Sequence, residues 1–116
     1  MVGIEITHVI NFKRELKNYE EERQELKQLN WGELTLDCYL ERLIADTFYH
    51  IYGHNGYEAN IYKIRFEDVD FIGKEKIKSV IDEFFSKRSP YDDEDEIEHK
   101  RVYDYMMSEV NLYDKI

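Results

Sequence analysis

The chain has 116 residues and a formal net charge of −10, because 26 Asp and Glu outnumber 16 Lys and Arg. This length suits one ordinary domain and argues against two independent cores, so we expect a single domain over residues 1–116. The negative charge argues against nucleic acid or an anionic membrane as a direct partner, and a charged partner should therefore be basic.

Apolar residues make up 42% of the chain and aromatic residues 15%, which is enough to build a core despite the high charge. A single cysteine excludes an internal disulfide, which fits a cytosolic protein. The segment 1–8 has an acidic residue at position 5 and no long apolar run, so it predicts neither a secretory signal nor a membrane span. We expect a cytoplasmic protein, located in the host cytoplasm if its source is a virus.

The N-terminal part of the chain predicts a short strand followed by a long helix. Over 2–7, apolar residues alternate with polar or small ones, a pattern typical of a half-buried strand. Over 8–29, apolar positions recur at steps of three and four, which predicts an amphipathic helix. The seam of this helix, interrupted by one charged residue, consists of Val9, Phe12, Leu16, Tyr19, Arg23 and Leu26.

Three further helices are predicted in chain order. Residues 33–52 carry the widest apolar stripe, so this helix should be the most buried, and Gly53 suits a left-handed helix cap. A stripe over 77–85 predicts a third helix that ends before Pro90. The acids at the start of 93–112 suit the positive end of a helix dipole and mark the fourth helix.

Between the second and third helices, residues 60–66 show a second period-two pattern. A lone two-stranded ribbon is marginal unless helices cover one face, so the strands at 2–7 and 60–66 either pair beneath the helices or remain separate. The predicted fold class is mainly α: a single-domain bundle of about four helices, with a small two-stranded β element if the strands pair.

The run from position 92 to position 98 contains six carboxylates and no base. It lacks the alternating ligands and the glycine of an EF-hand, so a calcium loop is excluded. Two interpretations remain: a solvated helix start favoured by the helix dipole, or a docking surface for a Lys/Arg-rich groove with an adjacent tyrosine as anchor. In the second interpretation the partner-binding residues are Tyr91, Asp92, Asp93, Glu94, Asp95, Glu96 and Glu98.

Other reactive side chains give weaker patterns. His50 and His54 have the spacing of metal ligands on one helix face, but Gly53 interrupts the helix and no third ligand has a fixed spacing. Cys38 lies at the polar edge of the second helix, where we expect a partly buried structural thiol rather than a nucleophile. No glycine-rich phosphate loop occurs. We therefore expect no catalytic, metal or cofactor site, and a protein that is not an enzyme.

Ten tyrosines are the remaining feature of the composition. Those on the apolar stripes should be core or half-core residues with the hydroxyl at the boundary: Tyr19, Tyr39 and Tyr52. Tyrosines off the stripes are either scattered singly or, beside carboxylates, part of a protein-binding surface: Tyr49, Tyr57, Tyr91 and Tyr103.

In size, acidity and richness in Tyr and Glu, the chain resembles small acidic phage antagonists of host defence and bacterial toxin-immunity proteins. The resulting hypothesis is a non-enzymatic inhibitor or regulator, of the anti-CRISPR or DNA-mimic kind. Its carboxylates would occupy a basic site on a partner such as a nuclease or another nucleic-acid-binding protein. The alternative is a helical assembly or regulatory subunit, in which the seam of the first helix pairs with a partner helix or with a second copy in a homodimer.

Overall fold

A computed structural model describes residues 4–51, 61–87 and 93–112 of the chain. Within these residues, four helices and two strands occur in the order β1 (Glu5–Asn11), α1 (Phe12–Gln28), α2 (Leu36–Ile51), β2 (Ile61–Glu67), α3 (Lys74–Lys87) and α4 (Asp93–Asn111). A 3₁₀ turn, Val69–Phe71, connects β2 to α3. The predicted class, a mainly helical bundle with a small β element, is confirmed. None of the described helices is long and apolar enough to cross a membrane.

The two strands pair with each other in parallel, with Glu5 opposite Ile61 at one end and Asn11 opposite Glu67 at the other. Parallel neighbours need a crossover connection, which contains α1 and α2. The second strand agrees closely with its predicted range, whereas the first lies further along the chain than predicted.

The boundary between β1 and α1 differs from the prediction, which placed the helix start earlier. α1 begins at Phe12, because the β-branched Val9 and Ile10 continue the strand and Ile10 is buried in the core. Asn11 then caps the helix, since its side-chain oxygen accepts a hydrogen bond from the Arg14 amide at 3.0 Å.

The Asn11 side chain also links the carboxyl ends of the two strands. Its amide nitrogen donates to the Asp68 carboxylate at 2.8 Å. Asp68 directly follows β2 and has a left-handed backbone, with φ at 54°. One side chain therefore ends β1, begins α1 and holds the residue after β2 in place.

Buried side chains from both strands and all four described helices form one hydrophobic cluster. The second helix contributes the widest buried face, as predicted, with Tyr39, Leu40, Ile44, Thr47, Phe48 and Ile51. The Phe48 ring packs edge to face against Phe84 and Phe85 of α3, at 5.5 Å between centroids in both pairs. It packs in the same way against His99 of α4 at 5.3 Å. Phe48 therefore joins α2 to the two C-terminal helices.

α1 contacts α2 through polar aromatic groups at the edge of the core. The Tyr39 hydroxyl donates to the Glu15 carboxylate at 2.7 Å, and Tyr19 packs edge to face on Tyr39 with ring centroids 5.6 Å apart. Burial and the hydrogen bond to Glu15 together raise the pKa of Tyr39 above its ordinary value. The prediction that Tyr19 and Tyr39 are core residues is confirmed. Tyr52 lies outside the described residues.

The connection after α1 is held by a Schellman cap. Asn30 has a left-handed backbone with φ at 57°, and its amide donates to the Lys27 carbonyl at 3.2 Å. The Trp31 amide donates to the Leu26 carbonyl at 3.0 Å. This cap leaves Leu29 and Trp31 with 50% and 74% of their surface exposed. The end of α1 therefore carries an apolar pair outside the core.

Glu109, near the end of α4, is a half-buried carboxyl whose pKa is raised by burial. Because the pKa of Glu109 is higher in the folded chain than in the unfolded chain, ionised Glu109 lowers stability at neutral pH. This loss of stability disappears as pH falls below the pKa that Glu109 has in the unfolded chain. We expect Glu109→Gln to raise the free energy of unfolding at neutral pH by less than about 1 kcal/mol, since the side chain is partly solvated. Chemical denaturation at neutral pH and at about pH 4 measures the difference, and a larger gain at the lower pH would contradict it.

Candidate functional site

The predicted partner-binding residues lie at the start of α4. Tyr91 and Asp92 lie outside the described residues. The helix begins at Asp93, so residues 93–95 form its first turn. The structure therefore confirms that the acidic run starts a helix, while its role as a docking surface stays a prediction.

The charge of α4 is strongly one-sided. From position 92 to the end of α4, the chain contains eight Asp or Glu and two Lys or Arg. Both bases have carboxylate partners on the same helix: Arg101 binds the half-buried Glu98, and Lys100 binds Asp104 at 3.0 Å. Glu96 is exposed and forms no ion pair with any described residue. The helix therefore contains more carboxylates than its own bases can neutralise.

A groove of about 460 Å³ lies between the C-terminal half of α3 and the N-terminal half of α4. Its lining combines acidic, aromatic and other polar side chains: Asp82, Phe85, Ser86, Glu96, His99, Lys100 and Tyr103. Asp82 and Glu96 are both exposed and lie on different helices. The groove thus brings one predicted site residue together with a carboxylate of α3 that sequence reasoning did not include.

The aromatic side chains of the groove are connected to the core. Phe85 and Tyr103 are half-buried, with their rings edge to face at 5.3 Å between centroids. The buried His99 ring lies 6.3 Å from that of Phe85, and both rings contact Phe48. Because Phe48 is fully buried, these rings form a base that cannot shift freely.

Tyr103 also positions one of the two exposed carboxylates. Its hydroxyl donates to the Asp82 carboxylate across the two helices. This hydrogen bond, together with burial, raises the pKa of Tyr103 above its ordinary value. Of the other tyrosines predicted off the apolar stripes, Tyr49 is exposed, and Tyr57 lies outside the described residues.

His50 and His54 have metal-ligand spacing, but we expect no metal site there, and His54 lies outside the described residues. The His50 ring contacts His8 of β1, with centroids 4.6 Å apart. Sequence spacing could not reveal this pair, because His8 and His50 belong to different elements. Among residues 4–51, 61–87 and 93–112, no group of three His, Cys, Asp or Glu side chains is placed to hold a metal ion.

The prediction of a partly buried Cys38 is wrong, because the side chain is exposed. Cys38 lies in the first turn of α2, where its amide donates to the Thr35 hydroxyl at 3.2 Å. The following residues, Tyr39 and Leu40, occupy the buried face of that turn, which leaves Cys38 on the solvent side.

The seam predicted for the first helix is largely used by the chain itself. Phe12 and Tyr19 are buried, Leu16 and Leu26 are half-buried, and Val9 belongs to β1. Pairing along the whole seam would therefore require Phe12 and Tyr19 to leave their buried positions. Exposed apolar surface near α1 is found at its C-terminal end, beyond the seam.

No protein-family model, curated protein or solved structure matches this chain. The function therefore has to be inferred from the chemical groups that the fold presents. These are the carboxylates of α4, the exposed Asp82 beside them, and the aromatic groove between α3 and α4.

Proposed function

We propose that the protein is a small acidic, non-enzymatic inhibitor or regulator that binds a basic site on a partner protein. The partner is a nucleic-acid-binding protein such as a nuclease, and the mode of action is that of a phage anti-defence protein, a DNA mimic or an immunity protein. The proposal rests on one observation: carboxylates are concentrated on α4, and both bases of that helix are already paired within it.

Carboxylates spaced along a helix can take the place of phosphates in a basic groove. Their field speeds the encounter with a positive surface, and the bound helix then excludes nucleic acid from that surface. Asp82 and Glu96 add charge from two helices on one side of the molecule. The half-buried rings of Phe85 and Tyr103 supply the apolar contact area that charge alone does not provide.

A second candidate function is a helical assembly or regulatory subunit that acts by apolar pairing. The exposed Leu29 and Trp31 favour it, because exposed tryptophan is a common anchor in protein interfaces. Such pairing, in a homodimer or with another helix, would respond weakly to ionic strength. Binding steered by charge weakens as salt rises, so salt dependence separates the two functions.

The experiment begins with a basic partner captured from a lysate of the source cells and identified by mass spectrometry. Its association rate is then measured by stopped flow with the wild-type chain and with a neutralised variant. The neutralised variant carries Asp92→Asn, Asp93→Asn, Glu94→Gln, Asp95→Asn, Glu96→Gln and Glu98→Gln. We expect association at low salt to slow by roughly tenfold, with little difference at high salt, because steering depends on the charge presented.

A matched control removes the same number of charges from exposed carboxylates elsewhere: Glu21, Glu25, Glu33, Asp46, Asp70 and Glu75. This control should slow association much less, because steering depends most on charges near the contact. Equal slowing by both variants would assign the effect to net charge alone. An unchanged rate for the neutralised variant at low salt would identify the acidic run as a solvated helix start and refute the proposal.

A further inference from the structure

We infer that the groove between α3 and α4 receives an arginine side chain of the partner protein. This inference rests on the proposed function, because it names the group that the acidic surface recognises. It is carried by two features of the groove: carboxylates that form no ion pair within the described part of the chain, and an aromatic base. Both of them favour a guanidinium group.

The carboxylates of the groove give it an excess of negative charge. Asp82 and Glu96 are exposed, and neither forms an ion pair with any residue in the described part of the chain. Lys100 lines the same groove, but its ammonium group binds Asp104 at 3.0 Å. A cation from outside is therefore the complementary occupant.

The carboxylates also lie on separate helices, so a cation that bridges them needs several hydrogen-bond donors. Arginine has five N–H donors in a planar fork and can donate to two carboxylates at once, whereas the lysine ammonium is a compact point charge. The hydrogen bond from Tyr103 to Asp82 restrains one of these acceptors before any ligand binds. A restrained acceptor loses less freedom when the cation arrives.

The base of the groove suits the flat face of a guanidinium. Phe85 and Tyr103 are half-buried beside each other, and Phe85 is held by its contact with the buried Phe48 ring. Arginine stacks on aromatic faces and is more weakly hydrated than lysine, so it gives up water at lower cost. The groove is open to solvent and has a volume of about 460 Å³, so an arginine side chain can reach its aromatic lining from the surface.

The inference can be tested on the intact chain before any partner is known. The probe is a blocked tripeptide, acetyl-Gly-Arg-Gly-amide, titrated into the ¹⁵N-labelled protein at low salt and followed by NMR. The same peptide with Lys in place of Arg is titrated in parallel. We expect saturable shifts centred on the amides of Asp82, Phe85, Glu96 and Tyr103, and at least threefold tighter binding of the arginine peptide.

Paired variants locate the binding site. Asp82→Asn with Glu96→Gln should weaken binding of the arginine peptide at least fivefold, because both acceptors lose their charge. Asp70→Asn with Glu75→Gln changes the net charge equally at exposed positions outside the groove and should leave the affinity nearly unchanged. Circular dichroism checks that all variants remain folded.

Equal affinity for the arginine and lysine peptides, or shifts spread over the surface away from the groove, would overturn the inference. Equal weakening by both variant pairs would also overturn it. Such a result leaves the proposed function standing if the neutralised variant still loses its fast association with the basic partner. The reverse result, arginine binding in the groove with an unchanged partner association rate, would refute the proposed function and keep the groove as a guanidinium site.

Discussion

Phe48→Ala should lower the free energy of unfolding by about 3–5 kcal/mol, the largest stability loss that we expect from one substitution in this chain. Phe48 is fully buried, and its ring contacts Phe84, Phe85 and His99 on two other helices. Its removal leaves a cavity where three helices meet, and rigid helices can close such a cavity only in part. Urea denaturation followed by circular dichroism measures the loss.

The matched control is Phe71→Ala, which removes the same ring from a residue that is 51% exposed. Its ring contacts the Lys13 ammonium at 5.4 Å, so we expect a loss below about 1 kcal/mol. Similar losses for both variants would show that Phe48 does not hold the helices together. Because Phe48 also supports Phe85 and His99, a folded Phe48→Ala variant should bind arginine peptide less tightly than wild type.

Asn11→Ala should cost about 2 kcal/mol, because it removes a helix cap and a link between the strands. The side-chain oxygen of Asn11 accepts from the Arg14 amide at 3.0 Å, and its nitrogen donates to the Asp68 carboxylate at 2.8 Å. Without it, the first turn of α1 loses an acceptor and the strand ends lose their connection. Thermal and urea denaturation both measure the change.

Asn11→Asp separates the two contributions of this side chain. Aspartate keeps the cap acceptor, but its carboxylate faces Asp68 and repels it. Adding Asp68→Asn restores the hydrogen bond in the reverse direction, because the asparagine at position 68 can donate to the aspartate at position 11. Asparagine also tolerates the left-handed backbone at position 68. We expect the double variant to recover most of the stability lost by Asn11→Asp. If it recovers none, the link between the strand ends contributes nothing.

The helices that were well predicted are those whose signals are local. The stripe over 33–52 corresponds to α2 at Leu36–Ile51, and the range 93–112 corresponds to α4 at Asp93–Asn111. In both, a helical period and a terminal signal lie within the same short segment. The predicted start of α1 is too early, because Val9 and Ile10 fit both a helical and a strand pattern. Their pairing with β2, which is distant along the chain, places them in the strand.

The candidate site was only partly predictable for the same reason. The acidic run is visible as a string of residues, and Glu96 was included on that basis. Asp82 and Phe85 join it only because α3 and α4 pack with particular faces together, and those faces cannot be obtained from the spacing within either helix. A carboxylate beside an aromatic residue in the last turns of α3 was the available signal, and it is too common to single out.

The parallel pairing of β1 with β2 has a consequence for how the chain acquires its structure. The partners Glu5 and Ile61 are separated by two helices, so closing this contact requires the loss of a large loop entropy before any sheet hydrogen bond forms. During synthesis, β1 emerges before β2, and this pairing cannot form until β2 has left the ribosome. The pairing of β1 with β2 is thus completed only after α1 and α2 have been made, although β1 precedes both helices in the chain.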